Sequence, residues 1–197
     1  MFTGIVGSAK ITSIIEQESG WTLIVNAPHV FPKVTIGDSV AIDGACLSVI
    51  KKETNNLYFF VSLESIDKTI IKFYKPETLV NIELPMQPNG YLGGHYVLGH
   101  VDTTATVKEI IKGDEAWILT ITYPADFSKY TVYKGSITIS GVSLTINKCN
   151  DNEIELCIIP ITLAKTNLGL LNAGSIVNIE FDILAKYTEK LLIKREA

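Results

Sequence analysis

Cysteine is scarce in this chain. Of its 197 residues, three are cysteines, Cys46, Cys149 and Cys157. An odd count without Cys-x-x-Cys spacing excludes a disulfide framework and a zinc signature, and it suits reduced thiols in a cytoplasm. Basic clusters are missing too. The net charge is −4, and a nucleic-acid or anionic-membrane surface needs gathered Lys and Arg. No apolar run approaches a membrane span. The opening Met1-Phe-Thr-Gly-Ile-Val lacks the basic and long apolar regions of a secretory signal, so Met1 is expected to start the working protein. What remains is a globular composition, 47 % hydrophobic and 19 % charged, with no signature of disorder.

The chain repeats itself. Gly44-Ala-Cys-Leu-Ser-Val49 returns as Gly141-Val-Ser-Leu-Thr-Ile146, and Val80-Asn-Ile-Glu83 as Val177-Asn-Ile-Glu180. Both pairs are offset by 97 positions, 44 to 141 and 80 to 177. The junction Tyr96-Val-Leu-Gly-His-Val-Asp102 echoes the start, with Gly4-Ile5-Val6 answered by Gly99-His100-Val101. A constant offset over separated blocks means one domain written twice.

Each copy reads as short strands. In the first they are Trp21–Val25, Ser39–Asp43, Leu47–Ile50, Leu57–Ser62 and Leu79–Leu84, separated by turn residues such as Asp43-Gly44 and Asn55-Asn56. A short helix is expected over Ser65–Thr69, capped by Ser65, with Thr162–Thr166 as its counterpart. Five or six strands in under 90 residues leave a closed barrel or a sandwich. The Pro- and Gly-bearing stretch Met86–Gly94 marks a boundary, giving 1–90 and 91–182 as the two domains. Residues 183–197 have no counterpart and read as a helix capped by Asp182. Leu184, Tyr187 and Leu191 form its apolar stripe, with Lys186, Glu189, Lys190 and Lys194 elsewhere. That stripe must pack on its own barrel or on other copies of the chain.

These residues together resemble the riboflavin synthase family of the alpha-chain type. The resemblance rests on the opening Met-Phe-Thr-Gly-Ile-Val, Gly44-Ala-Cys-Leu-Ser, Gly93-Gly-His-Tyr-Val-Leu-Gly-His-Val-Asp102, Gly141-Val-Ser-Leu-Thr and Val177-Asn-Ile-Glu-Phe-Asp-Ile-Leu-Ala-Lys-Tyr187, in order along the whole chain. It implies an all-β fold of two tandem six-stranded Greek-key barrels, with a C-terminal helix that gathers a homotrimer. It implies dismutation of two molecules of 6,7-dimethyl-8-ribityllumazine into riboflavin and 5-amino-6-ribitylaminouracil by four-carbon transfer, without cofactor or metal. The site would form between the first barrel of one subunit and the second barrel of a neighbour. Lumazine synthase is a candidate partner. The rival reading is a non-catalytic lumazine- or flavin-binding protein of the same fold. Such proteins tend to lose the second site and the junction histidine, whereas Cys46, His100, Ser143 and Thr145 are all present here. An unrelated structural module is disfavoured by the doubled polar constellation.

The resemblance carries over residue by residue. Cys46, His100, Ser143 and Asp182 are the catalytic candidates. The binding candidates include the entry segments Gly4, Ile5, Val6 and Gly99, His100, Val101. They include the hairpin residues Ser39, Cys46, Leu47 and Ser48, matched by Ser143, Leu144 and Thr145. They also include the strand ends and helical turns, Phe60, Val61, Ser62, Leu63, Glu64 and Ser65 in one copy, and Ile158, Ile159, Pro160, Ile161, Thr162 and Leu163 in the other. Lys134 is expected to reach a neighbour's site. The repeat adds its own argument. Cys46 pairs with Ser143, where a plain core position would pair with Val or Ala. Ser48 and Thr145 lie two residues further on, on the same strand face. His100 replaces Ile5 in one copy only, a mark of specialisation. His95 and His100 fall on opposite faces of an extended stretch, which disfavours a shared metal. Three positions depart from the family's usual pattern: Asp43 stands where Asn is common, Ser140 where Asp is common, and Tyr91 where Arg is frequent.

Overall fold

The computed structural model describes residues 1–193. The first copy folds into strands β1 (Gly7–Gln17), β2 (Gly20–Asn26), β3 (Ser39–Ile42), β4 (Ala45–Glu53), β5 (Asn56–Val61) and β6 (Leu79–Glu83). Helix α1 (Leu63–Lys68) lies between β5 and β6. The second copy supplies β7 (Thr103–Lys112), β8 (Trp117–Thr122), β9 (Ser136–Ile139), β10 (Val142–Asn150), β11 (Glu153–Ile158), α2 (Pro160–Lys165) and β12 (Ile176–Phe181). Helix α3 (Ile183–Ile193) follows. Each set closes into a six-stranded barrel, β1-β2-β5-β4-β3-β6 and β10-β11-β8-β7-β12-β9. Started from β7, the second ring has the same cyclic order as the first. Closure leaves no unpaired strand edge.

Alternation decides what is inside. In β4, Ala45, Leu47 and Val49 are buried while Ser48 and Ile50 are exposed. The two cores gather around fully buried side chains such as Leu57 and Phe59 in one barrel and Leu119 and Phe181 in the other. Each such burial contributes about 1.5–3 kcal/mol.

Strands β1 and β7 are not legible as alternating runs. Both carry a bulge, with register shifts between Ile11 and Ser13 and between Val107 and Glu109. An extra residue moves the apolar set to the other phase, which breaks the period-2 signal.

The barrels meet tip to tip. Asp43-Gly44 and Ser140-Gly141 have positive φ at both residues, 43° and 79° in the first pair and 43° and 83° in the second. This is the type I′ geometry favoured in two-residue hairpins. A Cβ on Gly44 would stand 2.7 Å from Gly141 N, and one on Gly141 2.7 Å from Gly44 N. Glycine is needed there for contact as well as for turn shape. Around the turns, Asn81 Nδ2 donates to Ser140 O (2.7 Å) and Asn178 Nδ2 to Asp43 O (2.8 Å). The contacts are reciprocal, so the copies are related by an approximate two-fold axis.

Helix starts differ from the sequence expectation. Ser62, not Ser65, caps α1, its Oγ accepting from Ser65 N at 3.2 Å. Helix α2 starts at Pro160, with no side-chain cap. Ser65 and Thr162 therefore lie inside the helical turns. Asp182 caps α3 as expected, with Oδ1 accepting from Leu184 N at 2.9 Å.

Helix α3 is held to its barrel by polar contacts. Lys186 Nζ lies 2.6–2.7 Å from both Asp102 oxygens, and Glu189 takes Tyr130 Oη at 2.5 Å and pairs with Lys129. Leu184, Tyr187 and Leu191 are each about three-fifths exposed. The stripe is not packed on its own barrel. Lys194 and the rest of the expected 183–197 helix lie outside the described residues. Among those residues, no helix is long and apolar enough to cross a membrane.

Candidate functional site

The entry segments change sides. Residues 1–6 precede the first barrel and bond to its Glu83, yet reach the second at Gly4, and residues 95–101 precede the second barrel while their end reaches the first at Gly99. Phe2 and Val97 pair in an antiparallel bridge where the segments cross. Ser143 N then donates to Gly4 O at 2.9 Å, and Cys46 N donates to Gly99 O at 2.8 Å. The approach is close. A Cβ on Gly4 would stand 2.5 Å from Ser143 Cβ, and one on Gly99 2.6 Å from Cys46 Cβ.

Two related clefts result. The first, about 300 Å³, is lined by Ala45, Cys46, Glu64, Ser65, Lys68, Thr69, Gly99, His100 and Val101. The second, about 250 Å³, is lined by Gly4, Ile5, Val6, Val142, Ser143, Ile161, Thr162, Lys165 and Thr166. An adjoining space of about 350 Å³ continues past Ser143 to Gly93, Gly94, Ser136, Leu144, Thr145, Asn147, Cys157 and Ile159. These volumes sit near the lower end for small-molecule sites. A larger cavity of about 630 Å³ lies between the one-turn helices Ile70–Phe73 and Asn167–Leu170. It is mostly apolar and holds none of the predicted site residues.

The structure thus brings together Cys46, Glu64, Ser65 and the Gly99–Val101 segment. It also brings together Gly4, Ile5, Val6, Ser143, Ile161 and Thr162, with Leu144, Thr145 and Ile159 next to them. Ser39 pairs with Ser48 across β3 and β4, just beyond Cys46 on the outer face. Lys134 is exposed and reaches Asn147 Oδ1 at 3.4 Å, at the edge of the second site. The side chains of Leu47, Val61 and Ile158 face the barrel interiors, 0–4 % exposed. Alternation turns them away from any ligand, and only their backbone can face one. Leu163 is half-buried against the second core. Phe60 and Leu63 are exposed, Ser62 is occupied as the cap of α1, and Pro160 opens α2.

His95 and His100 stand at different clefts. His100 lines the first; it precedes β7 rather than lying in it. His95 belongs to the second. Its Nδ1 is 2.7 Å from Ser143 Oγ and its Nε2 3.1 Å from Thr138 Oγ1. Burial pushes the His95 pKa below its ordinary value, partly opposed by the negative charge of Asp182. Burial thus favours the neutral imidazole, in which one ring nitrogen accepts from one of the two hydroxyls and the other donates to the second. Asp182, expected among the catalytic residues, lines neither cleft; its charge reaches His95 and its carboxylate caps α3. Sequence reasoning weighed His95 only as a metal ligand; its place beside the Gly93-Gly94 pair that lines the second site was the available signal. Among the described residues no group of His, Cys, Asp and Glu has metal-holding geometry.

Comparison with known proteins bears on the doubled fold. The family model of the lumazine binding domain matches twice, over residues 3–85 and 98–182. Riboflavin synthase of Photobacterium phosphoreum is 40 % identical over 195 residues, covering 98 % of this chain and 89 % of the relative. The chain belongs to the riboflavin synthase family. Riboflavin synthases of Bacillus subtilis and Schizosaccharomyces pombe are each 34 % identical over 195 residues, 98 % of this chain and 91 % and 94 % of theirs. Among solved structures, LumP complexed with 6,7-dimethyl-8-(1'-D-ribityl) lumazine superposes with a TM-score of 0.84 at 26 % identity. LumP complexed with riboflavin gives 0.85 at 27 %. Each match covers 92 % of this chain and 99 % of the other. The doubled domain of this family is the repeat read from the sequence.

Proposed function

We infer that the chain catalyses the riboflavin synthase reaction. Two molecules of 6,7-dimethyl-8-ribityllumazine react. One gives a four-carbon unit to the other, yielding riboflavin and 5-amino-6-ribitylaminouracil. The observation that carries this reading is the pair of clefts, related by repeat but unequal in chemistry. A reaction between two identical molecules needs two similar pockets, and holding both removes much of the entropic cost of their meeting. The transfer is internal to the pair, so donor and acceptor balance without an outside oxidant.

Different side chains give the clefts different tasks. The first offers the Cys46 thiol and the His100 imidazole. The second offers the Ser143 hydroxyl on neutral His95, with Asp182 nearby. A neutral imidazole beside a hydroxyl can take a proton, and the lumazine methyl must lose one. Ser65 N and Thr162 N are taken by Ser62 and Ile159, which leaves the N–H groups of Glu64 and Ile161 to polarise ligand carbonyls. These assignments are proposals, as is the division into domains 1–90 and 91–182 followed by the helix from 183.

The exposed stripe of α3, turned away from its own barrel, supports a homotrimer. Its neighbours would bring the first cleft of one protomer to the second cleft of the next. Three free cysteines suit a cytoplasmic protein, and lumazine synthase remains a candidate partner through the shared lumazine. The deciding experiment incubates purified protein with 6,7-dimethyl-8-ribityllumazine and follows riboflavin absorbance. Turnover supports the enzyme. Tight binding without turnover would leave a lumazine-binding protein of the same fold, the reading that retention of Cys46, His100, Ser143 and Thr145 disfavours.

A further inference from the structure

The repeated Val-Asn-Ile-Glu block ends in a glutamate that is 8 % exposed in the first copy and 3 % in the second. A buried carboxylate must be matched by donors. Glu83 Oε1 accepts from Thr3 N and Thr3 Oγ1, both at 2.7 Å, and its Oε2 from Gly4 N at 2.9 Å. Glu180 Oε1 accepts from Leu98 N at 2.7 Å and its Oε2 from Gly99 N at 3.0 Å. In both copies two successive amides point at two oxygens of one carboxylate. The glycine that follows has φ of 78° at Gly4 and 79° at Gly99, and its carbonyl turns to the other barrel. There Gly99 O takes Cys46 N and Gly4 O takes Ser143 N. Two hydrogen bonds thus link Glu180 of the second barrel to Cys46 of the first, and two link Glu83 of the first barrel to Ser143 of the second.

We propose that these glutamates are crossed positioning residues. Glu180 sets the first cleft by holding Gly99 and His100 against Cys46, and Glu83 sets the second by holding Gly4 and Ile5 against Ser143. The proposal rests on the clefts being pteridine sites. Only a carboxylate fits this task. Glutamine has one acceptor oxygen, and its NH₂ would face an N–H. Desolvation pushes both carboxyls above the ordinary range, and the amide bonds oppose it. Lys186 and Asp102 are the charged groups near Glu180, with opposite effects. Their charges bear on its protonation, while the amides set its geometry.

The test is an NMR titration of the full chain with riboflavin, reading the amides of Cys46 and Ser143 separately. In the native protein both respond, each with its own Kd. Glu180→Gln is expected to raise the Kd read at Cys46 about tenfold, the loss of one charge-assisted hydrogen bond, and leave the Kd at Ser143 within about twofold. Glu83→Gln should do the reverse. A glutamate that only supports its own barrel would weaken its own cleft or both together, and either pattern overturns the proposal. No change in Kd at either amide also overturns it. If Glu180→Gln does not fold, Gly99→Ala displaces the same loop from Cys46. Loss at the first cleft alone would sustain the proposal, and equal loss at both would end it. A native protein whose two amides ignore riboflavin would refute the pteridine-site reading instead.

Discussion

Nδ1 of His95 lies 2.7 Å from Ser143 Oγ, and the other ring nitrogen is held by Thr138. The imidazole is thereby fixed in one orientation between two hydroxyls. If the pair acts as one unit, its effects do not add. His95→Gln and Ser143→Ala should each lower riboflavin formation about 10²-fold, and the double variant by about the same factor. Steady-state rates of the three variants check this. Multiplying losses would mean that the two side chains act separately.

His100 is expected to matter for turnover more than for folding. Its repeat partner Ile5 shows that the fold accepts an apolar side chain at the matching place. His100→Gln should keep its melting temperature and most of its affinity for lumazine while turnover falls about 10²-fold. Near-normal turnover would remove His100 from the chemistry. A collapse of the melting temperature would make it structural.

Asp43 carries a cost that an Asn at the same place would not. It is fully buried, with Tyr74 Oη donating to Oδ2 at 2.6 Å and Asn81 N and Asn167 Nδ2 donating to Oδ1. Desolvation raises its pKa from 3.8 to about 6. A carboxyl whose pKa is raised on folding favours the folded state below about pH 4. That contribution, worth about 3 kcal/mol, is lost as pH rises from about 4 to about 6. Asp43→Asn keeps the acceptor oxygen for Asn81 and Asn167 and turns an NH₂ to Tyr74. Its melting temperature should rise relative to the native protein by several degrees between pH 4 and pH 7. Parallel melting curves across that range would contradict the assignment.

Ending the chain after Asp182 removes α3 with its Lys186–Asp102 and Glu189–Lys129 contacts. Both barrels close without it, so they should stay folded while the proposed homotrimer shifts to smaller species. Sedimentation of the full and the shortened chain measures this. The same assembly in both would show that α3 does not hold the subunits together.

The doubled barrel was legible because repetition survives where individual strands are ambiguous. Gly44-Ala-Cys-Leu-Ser and its echo at Gly141 point to the two clefts, and period-2 alternation sets Cys46, Ser48, Ser143 and Thr145 on outer faces. Strands β1 and β7 were hidden by bulges that shift the phase of their apolar residues. The crossing of the entry segments was hidden for another reason. It depends on contacts between residues 53 to 139 positions apart, as in Phe2–Val97, Gly99–Cys46 and Gly4–Ser143, that no local pattern encodes. Glu83 and Glu180 carry a signal of their own: a glutamate closes the repeated Val-Asn-Ile-Glu block in both copies.

The central claim is that one chain builds two unequal pteridine pockets. Calorimetric titration with a non-reacting ribityl analogue of the lumazine tests it most directly. The account predicts two ligands per chain with distinct affinities, the first site weakened selectively by substitution at Cys46 and the second by substitution at Ser143. A stoichiometry of one per chain, with no weaker second phase, would contradict it.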